Sequence, residues 1–378
     1  MRIIVLSGAY KNAGDFLIVE RSIQLLRKQF KDCQIEVIKR NQNLEEMLPQ
    51  LNGSKAIILA GGPLYAPDIY PKEIPLVKDL VSIKPKIYTL GCGWNGISDS
   101  ADYIYGYYKF SAMTKRLINR IEYDSGYLSC RDWLSVKALK ANGIETTKMT
   151  GCPAWYDLNF INQIRINESV HLSFDKICVS DPAKTQNLRQ ALSLVRYLRD
   201  RYKDAKLYYI FHRGVVENQE LDFFRQQLEQ MEVVISNIEG SKEGFSIYDD
   251  CDLHIGYRVH AHIYNLSRRN ISVLIEEDGR GAGVNHALGL ERIKAYKDNY
   301  HRIVGNSIKH RLQRKVQNKI WGIGNYECNQ WVLKEIDDYL TKLSETEYKI
   351  FQSAYEIMKT SYLCMENYLQ YIGEQIGG

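Results

Sequence analysis

The sequence predicts an α/β protein with two Rossmann-like domains facing each other across a cleft and a long helical segment at the C-terminus. Three observations predict this class. Short apolar runs alternate with longer segments of helical period along most of the chain. A polar, Asn-rich stretch at 156–174 interrupts the alternation, which then starts again. The last segment, 329–376, has a helical period throughout and is rich in tyrosine.

The composition is that of a globular chain long enough for more than one domain. The 378 residues correspond to two domains at roughly 150 residues each. Hydrophobic residues make up 45% and charged residues 25%, which excludes disorder, collagen and coiled coil as the main state. The net charge of +5 is slight, so it favours small anionic ligands and argues against a nucleic-acid partner.

Targeting and cysteine signals predict a cytoplasmic protein. The apolar run after Met1 is too short for the core of a signal peptide, and we expect a buried strand there. No window reaches eighteen uninterrupted apolar residues, so we expect no membrane span. The eight cysteines are scattered and never form CxxC, which is typical of reduced thiols rather than disulfides.

The first half of the chain alternates strands and helices, which predicts a parallel sheet covered on both faces. We therefore expect residues 1–160 to form the first Rossmann-like domain. Asp132 is expected to cap the last of its helices and Gly143 to end it. The predicted strands are Ile3–Ser7, Ile35–Ile38, Ala56–Ala60, Lys86–Leu90, Tyr127–Ser129 and Thr147–Thr150, and the predicted helices are 15–30, 75–82, 109–122 and 132–142.

The second half repeats the pattern after the predicted linker, so we expect a second Rossmann-like domain at 175–325. The helices of 329–376 are then expected to brace the two halves. The predicted strands are Lys176–Ser180, Leu207–Phe211, Val233–Ser236, Leu253–Gly256 and Ile271–Ile275, and the predicted helices are 187–203, 217–230 and 258–268.

Glycine-rich segments follow three predicted strands of the first half, and none matches a dinucleotide fingerprint or a P-loop. Glycines at a strand end let the backbone approach a ligand closely. We therefore place Asn12, Gly62 and Asn95, one in each segment, among the candidate substrate-binding residues. Asp15 either caps the following helix or accepts a proton from a substrate hydroxyl at the edge of the cleft.

An arginine lies where another strand passes into a helix, in Ser129-Cys130-Arg131-Asp132. A guanidinium group at such a junction can hold a carboxylate or phosphate with two parallel hydrogen bonds. The alternative is a local ion pair between Arg131 and Asp132.

Ionisable residues crowd the end of the predicted strand Leu253–Gly256. Arg258 is a candidate anion-binding residue, and His260 can donate or accept a proton because its usual pKa of about 6.5 is close to neutral pH. A zinc site built from His254, His260 and His262 is disfavoured. On a helix, residues 260 and 262 point apart, and no nearby cysteine pair completes the ligand set, so we expect no metal.

A glycine-rich arginine segment, Glu276-Glu277-Asp278-Gly279-Arg280-Gly281-Ala282-Gly283, follows the next predicted strand, with three acidic residues beside the arginine. We expect a flexible loop that closes over a bound phosphate, with Arg280 as the clamp. The alternative is a solvated turn.

The order of these motifs resembles the polysaccharide pyruvyl transferase family over roughly residues 1–290. The resemblance implies a fold similar to GT-B glycosyltransferases. It also implies transfer of a pyruvyl group from phosphoenolpyruvate onto two hydroxyls of a sugar in a cell-surface polysaccharide precursor, as in exopolysaccharide biosynthesis. The motifs are Asn12-x-Gly14-Asp15, a glycine pair after a strand, Ser129-x-Arg131-Asp132, Gly151-Cys152-Pro153-Ala154 and Arg258-x-His260.

The resemblance also suggests roles for individual residues. Arg131 and Arg258 match the anion-binding arginines of the family, and His260 matches the histidine of its Arg-x-His motif. Phosphoenolpyruvate carries two anionic groups, so we expect these arginines to have little counter-charge, with His260 as the acid and Asp15 as the base. Many members have Ser-Met before the arginine and a lysine further on, where this chain has Gly256-Tyr257 and Arg280.

The expected partners are phosphoenolpyruvate as donor substrate, with no further cofactor, and a sugar or lipid-linked glycan as acceptor. A membrane-borne acceptor would involve peripheral contact with the membrane, and the oligomeric state is left open. Two alternatives are a GT-B-like glycosyltransferase that uses a nucleotide sugar and a non-catalytic member that binds an anion or a sugar.

Overall fold

The structure, a computed structural model, describes residues 1–164, 174–184, 187–213, 218–240, 242–296, 308–309, 312 and 326–377. The chain forms two compact units. The first comprises Met1–Tyr10, Asp15–Ile161 and Ile357–Gly378, and the second comprises Lys11–Gly14 and Asn162–Glu356. The short segment Lys11–Gly14 thus belongs to the second unit, and the last helix is shared between the two units.

The first unit is built on a parallel sheet with strand order β2-β1-β3-β5. An isolated bridge between Cys92 and Cys130 links the strand ends of this sheet to the β7–β8 pair. The strands are β1 (Arg2–Ser7), β2 (Gln34–Lys39), β3 (Ala56–Ala60), β4 (Pro63–Tyr65), β5 (Lys86–Leu90), β6 (Gly93–Trp94), β7 (Leu128–Cys130) and β8 (Thr147–Met149). The helices are α1 (Ala13–Gln29), α2 (Leu48–Asn52), α3 (Ala112–Ser125) and α4 (Trp133–Lys140), with a π-helix at Asp102–Tyr107 and 3-10 helices at Leu80–Ser82 and Pro153–Trp155.

The second unit is a parallel sheet with strand order β11-β10-β9-β12-β13-β14. Its strands are β9 (Lys176–Ser180), β10 (Lys206–Phe211), β11 (Val234–Asn237), β12 (Leu253–Gly256), β13 (Ile271–Glu276) and β14 (Ile293–Lys294). Its helices are α5 (Leu188–Arg201), α6 (Gln219–Gln230), α7 (Val259–Ser267), α8 (Gly279–Leu288) and α9 (Tyr326–Glu345), with a 3-10 helix at Glu243–Tyr248. Helix α10 (Lys349–Ile376) begins in the second unit and ends in the first.

The central strands are apolar on both faces because helices cover both sides of each sheet. Every residue of β3 and β12 is buried, and so is every residue of β13. The two parallel sheets and the helical C-terminus confirm the α/β class with two Rossmann-like units. The cleft expected between them stays a prediction.

All the predicted strands are present, with their ends shifted by at most one residue. The predicted helix at 75–82 is wrong, since only Leu80–Ser82 forms a turn of 3-10 helix there. Leu76 has a φ of +47°, outside the helical region, and it bridges to Asn43 instead. The helical tail consists of two helices, α9 and α10.

The predicted linker at 156–174 begins inside the first unit. Asp157 is buried and pairs with Arg21 at 2.6 Å, which ties this part of the chain to helix α1. Residues 165–173 of the predicted linker lie outside the described residues, as do 297–307 and most of 310–325 in the predicted second domain. Among the helices of the described residues, none is long and apolar enough to cross a membrane.

Candidate functional site

The second sheet has a topological switch point between β9 and β12. Taken in chain order within the unit, its strands lie in the order 3-2-1-4-5-6, so the connections run in opposite directions from the β9–β12 boundary. Open parallel sheets bind ligands outside the carboxyl ends of the strands at such a point. The residues that follow β9 and β12, Asp181 and Tyr257-Arg258, therefore occupy the position where a ligand is expected.

Arg258 is held at this switch point by a bidentate ion pair with Asp181. Its Nε donates to Oδ1 at 2.7 Å and its Nη2 donates to Oδ2 at 2.5 Å. The side chains retain 12% and 4% of their exposure. Burial lowers the pKa of Arg258, but the Asp181 carboxylate outweighs burial and raises it overall, so the guanidinium stays charged. Its Nη1 donates to no described residue and is the donor left for a ligand.

Two features let Arg258 lie so close to β9: a glycine at position 256 and a hydrogen bond to the Ser180 hydroxyl. A β-carbon on Gly256 would lie 2.5 Å from the Ser180 Oγ, so no side chain fits at this position. The same Oγ accepts a hydrogen bond from the Arg258 backbone N–H at 3.1 Å. Gly256 and Tyr257 stand where the resemblance leads one to expect Ser-Met, and the strand ends pack tightly at this position.

A second carboxylate, Glu277, lies within electrostatic reach of Arg258. Glu277 accepts hydrogen bonds from the backbone N–H groups of Ala183, at 2.7 Å, and Lys184, and from the side chain of Asn187. Burial raises the pKa of Glu277, while these donors and Arg258 oppose the shift. The Glu277 carboxylate thus connects the loop after β9 to the end of β13, close to Arg258.

His260 lies in the first turn of helix α7, with its ring packed directly against Gly14. A β-carbon on Gly14 would lie 2.1 Å from the Nδ1 of His260, so any other residue there would collide with the ring. His260 is half-buried. The segment that carries Gly14 is tied to the second sheet by two backbone hydrogen bonds, from Ala13 N to His212 O at 3.2 Å and from Gly240 N to Lys11 O at 2.8 Å. Asn12, a predicted binding residue, is half-buried in this segment.

His212 is a functional candidate that the sequence analysis missed. It follows β10, is fully buried, and contacts the Tyr248 hydroxyl through Nε2 at 2.7 Å. Its backbone N–H donates to Asp181 at 3.1 Å. Burial lowers the pKa of His212 well below its usual value, and the nearby Arg258 acts in the same direction. His212 is therefore neutral and joins the ends of β9, β10 and β12 around the same carboxylate.

His254 and His262 have structural roles. The Nδ1 atoms of both rings contact the Ser272 Oγ, at 2.7 and 2.8 Å, and Nε2 of His254 contacts the Ser180 Oγ at 2.9 Å. Burial lowers the pKa of His262 to about 3 and that of His254 well below its usual value. Both imidazoles are neutral parts of the sheet–helix core. Among the described residues, no group of three His, Cys, Asp or Glu side chains is placed to hold a metal ion.

The predicted flexible loop around Arg280 is instead helix α8. Asp278 caps the helix by accepting from the Arg280 N–H at 2.9 Å, and it also pairs with the Arg280 guanidinium at 2.7 Å. Gly281 packs against β13, where a β-carbon would lie 3.2 Å from Leu274. The glycines thus serve close helix–sheet packing rather than loop motion. The Arg280 side chain remains 41% exposed at the carboxyl end of β13.

In the first unit, Arg131 is buried and paired with its neighbour. Its Nε donates to Asp132 at 3.0 Å and its Nη2 donates to the Trp94 carbonyl at 3.3 Å. Asp132 also caps helix α4 by accepting from the Ser135 N–H at 2.7 Å. The local ion pair considered in the sequence analysis is therefore present, and only 2% of Arg131 is exposed.

All three predicted arginines have a carboxylate partner, which differs from the expectation of little counter-charge. The partners are Asp132, Asp181 and Asp278. For Arg131 and Arg258 the physical reason is burial, because a guanidinium removed from water costs several kcal/mol unless a counter-charge and hydrogen bonds compensate it. Arg280 is more exposed, and its partner Asp278 is the residue that caps its own helix.

The glycine-rich strand ends of the first unit serve close backbone packing. Gly62 has a φ of +71°, and Gly93 N donates to Gly62 O at 2.8 Å. A β-carbon on Gly93 would lie 2.5 Å from Cζ of Arg131. Asn95 is exposed, and its Oδ1 accepts from the Tyr108 hydroxyl at 2.7 Å. Asp15 lies inside the first turn of helix α1, half-buried, rather than before the helix as a cap.

The predicted site residues therefore fall into two groups. Arg258, His260, Arg280 and Asn12 belong to the second unit, and Arg131, Gly62, Asn95 and Asp15 belong to the first. Within the second unit, burial lowers the pKa of His212, and Arg258 and His260 act in the same direction. The joint binding of one ligand by Arg131 and Arg258 stays a prediction.

Comparisons with known proteins bear on the class of this site. The sequence model of a family described as polysaccharide pyruvyl transferase matches residues 12–264. A search of curated proteins finds no match. Similar solved structures include the UDP co-structure of MnaA from S. aureus, with 11% identity, a TM-score of 0.43 and coverage of 90% of this chain and 96% of that one.

Two further solved structures are similar at the same level. UDP-GlcNAc 2-epimerase from Neisseria meningitidis, bound to UDP-GlcNAc, has 10% identity and a TM-score of 0.42, covering 89% of this chain and 100% of that one. HepE from Anabaena, in complex with UDP, has 11% identity and a TM-score of 0.41, covering 100% and 98%. The family match spans more than half of the chain and includes Asn12, Arg131, Arg258 and His260, so this chain belongs to the polysaccharide pyruvyl transferase family.

Proposed function

We propose that the protein transfers the pyruvyl group of phosphoenolpyruvate onto two hydroxyls of one sugar in a cell-surface polysaccharide precursor, forming a cyclic ketal and releasing phosphate. The observation that carries this proposal is the Arg258–Asp181 ion pair at the carboxyl edge of the second sheet, with His260 two residues after Arg258 in the first turn of helix α7, inside the segment that matches the family. A fixed guanidinium suits an anionic donor, and an imidazole close to it suits the proton transfer that the reaction needs.

The proposed reaction begins at the enol phosphate of the donor. His260 as imidazolium gives a proton to the methylene carbon, which becomes a methyl group and leaves the adjacent carbon electron-poor. The oxygen of one sugar hydroxyl bonds to that carbon, and its proton passes to Asp15. The bond to the phosphate oxygen then breaks, and phosphate leaves with the electron pair. The second hydroxyl bonds to the same carbon, closes the ring and releases its proton to phosphate or water.

The arginines act through charge rather than proton transfer, because a guanidinium group does not titrate in this range. Arg258 would offer Nη1 to the donor while Asp181 holds its other edge, and we assign Arg131 and Arg280 to further anionic oxygens. One charge-assisted hydrogen bond contributes roughly 1.5–3 kcal/mol of binding. The scheme uses no metal and no cofactor besides the donor. We place the reaction in the cytoplasm, with peripheral contact at the membrane where the acceptor is lipid-linked.

The test is to supply the protein with phosphoenolpyruvate and, separately, with nucleotide sugars, each with a glycan acceptor. We expect acceptor-dependent phosphate release and a new ketal on the sugar with phosphoenolpyruvate only. H260A should retain the fold and lose roughly 100- to 10,000-fold in turnover, the usual contribution of general acid catalysis. H286A is the matched control, because His286 is an exposed histidine in the last turn of α8.

Other outcomes would replace the proposal. Nucleotide release without phosphate release would make the protein a glycosyltransferase. Binding of phosphoenolpyruvate or a sugar without turnover in any combination would make it a non-catalytic member of the family. Equal ketal formation by H260A and the wild type would remove His260 from the role of acid.

A further inference from the structure

Three glycines form a floor at the carboxyl edge of the first sheet, and we name Gly8, Gly62 and Gly93 the glycine floor. They follow β1, β3 and β5, which are neighbours in the sheet. The switch point of this sheet lies between β1 and β3. The hydrogen bond from Gly93 N to Gly62 O, at 2.8 Å, makes the floor continuous. Backbone without side chains at a switch point lets large side chains lie directly over the strand ends, at the edge where ligands of such sheets bind.

Arg40 lies on this floor, at a position that no sequence motif marks. It follows β2 directly, and its backbone N–H donates to Ser7 O at 2.9 Å. A β-carbon on Gly8 would lie 2.8 Å from Cζ of Arg40, and one on Gly62 would lie 3.4 Å from Nη1. Nη1 also donates to the Gly61 carbonyl at 3.3 Å. The Arg40 guanidinium thus lies where Gly8 and Gly62 have no side chains, and the Gly61 carbonyl accepts one of its hydrogen bonds.

The charge of Arg40 is not compensated in the way that the charges of Arg131, Arg258 and Arg280 are. No carboxylate of the described residues lies within 4 Å of its guanidinium, whereas Arg131 on Gly93 pairs with Asp132. The glycine floor thus carries two guanidinium groups against one carboxylate. Both act on the same thiol: burial raises the pKa of Cys92 to about 12, while Arg40 and Arg131 each oppose the rise. The two cations therefore border one small region with an excess positive charge.

The accessibility of the two arginines also differs. Only 2% of Arg131 is exposed, but Arg40 is half-buried and reaches solvent. A partly desolvated guanidinium without a counter-ion is favourable only if an anion completes its hydrogen bonds. The reachable cation on the glycine floor is Arg40.

We propose that Arg40 binds an oxyanion, a phosphate or carboxylate group, above Gly8 and Gly62, and is thus a further substrate-binding residue of the first unit. The assignment of the anion to a substrate rests on the proposed function: it is a group of phosphoenolpyruvate or the phosphate of a phosphorylated acceptor. Arg131 supports the site as a second, buried positive charge.

The experiment measures binding to the full chain, without turnover, by calorimetric titration with inorganic phosphate and with phosphoenolpyruvate. R40Q should bind the anion about 10- to 100-fold more weakly, the loss expected for one charge-assisted interaction. R40K, which keeps the charge without the planar fork, should lie between R40Q and the wild type. G8A, which keeps the arginine and obstructs its place, should also weaken binding. R27Q removes one exposed positive charge of helix α1 in the same unit and should bind as the wild type does.

Measurements with phosphate, phosphoenolpyruvate and acceptor distinguish the possible sources of the anion. They also distinguish failure of the Arg40 site from failure of the proposed reaction. Weaker binding of phosphoenolpyruvate by R40Q assigns the donor, whereas a raised KM for a phosphorylated acceptor at unchanged donor affinity assigns the acceptor. Arg40-dependent phosphate binding in a protein that turns over no phosphoenolpyruvate would keep the site and end the proposed reaction. Equal affinity of R40Q and the wild type for phosphate, phosphoenolpyruvate and acceptor, or no binding by the wild type, would overturn the assignment.

Discussion

The carboxyl edges of the two parallel sheets differ in how they are built. In the first unit glycines follow the strands: Gly62 and Gly93 are hydrogen-bonded to each other, and Arg40 lies over the glycine floor with no carboxylate of the described residues within 4 Å. In the second unit the strand ends carry ionisable side chains that bond to one another, with Asp181 joining Arg258 and His212. The first edge has an excess of positive charge among its described residues, whereas the second holds its charges in a defined geometry.

This difference indicates a division of labour between the two edges. Two hydrogen bonds to Asp181 fix the orientation of the Arg258 guanidinium. The Nη1 group of Arg258 therefore has a defined direction before a substrate binds. A glycine floor instead lets the main chain approach an anion, and the anion itself supplies the missing counter-charge. Variants that remove one property at a time test whether the two edges need these different constructions.

The largest effect is expected from G14A, because the new β-carbon would lie 2.1 Å from Nδ1 of His260 and push the ring out of place. Alanine is otherwise favourable in a helix, so helix α1 should not suffer from the change. We expect turnover to fall roughly 100- to 10,000-fold, as for loss of a general acid, with an unchanged circular dichroism spectrum. G106A is the control, since a β-carbon there meets nothing within 4 Å. Full activity in G14A would mean that the position of His260 does not matter.

The next effect concerns stability, and it tests the fixed geometry at the second edge. D181A leaves the buried Arg258 guanidinium without its partner, and breaking such a pair costs about 3–5 kcal/mol of unfolding free energy. E291A removes an exposed pair with Lys342, at 2.7 Å, and should change stability by less than about 1 kcal/mol. Urea unfolding of both variants measures the difference. A similar, small loss in the two would show that Asp181 does not carry the structure of this edge.

A smaller effect is expected from pH, through the neutral histidines beneath the second edge. Burial lowers the pKa of His262 to about 3 in the folded protein, against about 6.5 in the unfolded chain. Below pH 6.5 the unfolded state therefore binds more protons, and the unfolding free energy falls as the pH drops from about 6.5 towards 3. The limiting slope is about 1.4 kcal/mol per pH unit for each such histidine.

Urea unfolding at pH 7.5, 6.5 and 5.5 measures this slope. H262Q, which cannot take up the proton, should flatten the dependence, whereas H286Q at an exposed position should leave it unchanged. An identical slope in H262Q and the wild type would show that His262 does not contribute.

Much of the fold could be predicted from the sequence because the strands are continuous apolar runs. The runs at Ala56–Ala60 and Leu253–Gly256 are buried on both faces, and they alternate with segments of helical period. Helix α8 was missed because three of its first five residues are glycine, which disfavours a helix unless close packing on a sheet requires it. The helix expected at 75–82 fails for a related reason, since the backbone at Leu76 leaves the helical region to bridge Asn43.

The candidate site was predictable only in part. Arg258 and His260 stand out because polar residues crowd the end of an apolar strand. Arg40 and Asp181 are single residues after strands, without a motif, and their partners lie far away in the sequence. Arg40 lies 21 residues before the carbonyl that it contacts, and Asp181 lies 77 residues before Arg258.

The amino-acid sequence by itself determined which segments are strands, that the sheets are parallel, and which chemical groups stand at the strand ends, because these properties depend on neighbours along the chain. The tertiary structure decided which of those groups are paired. Whether a guanidinium is compensated, as with Arg258, or open to an anion, as with Arg40, depends on which strand ends meet at a sheet edge. Strand order decides which strand ends lie next to each other. It therefore brings together residues that no local sequence pattern connects.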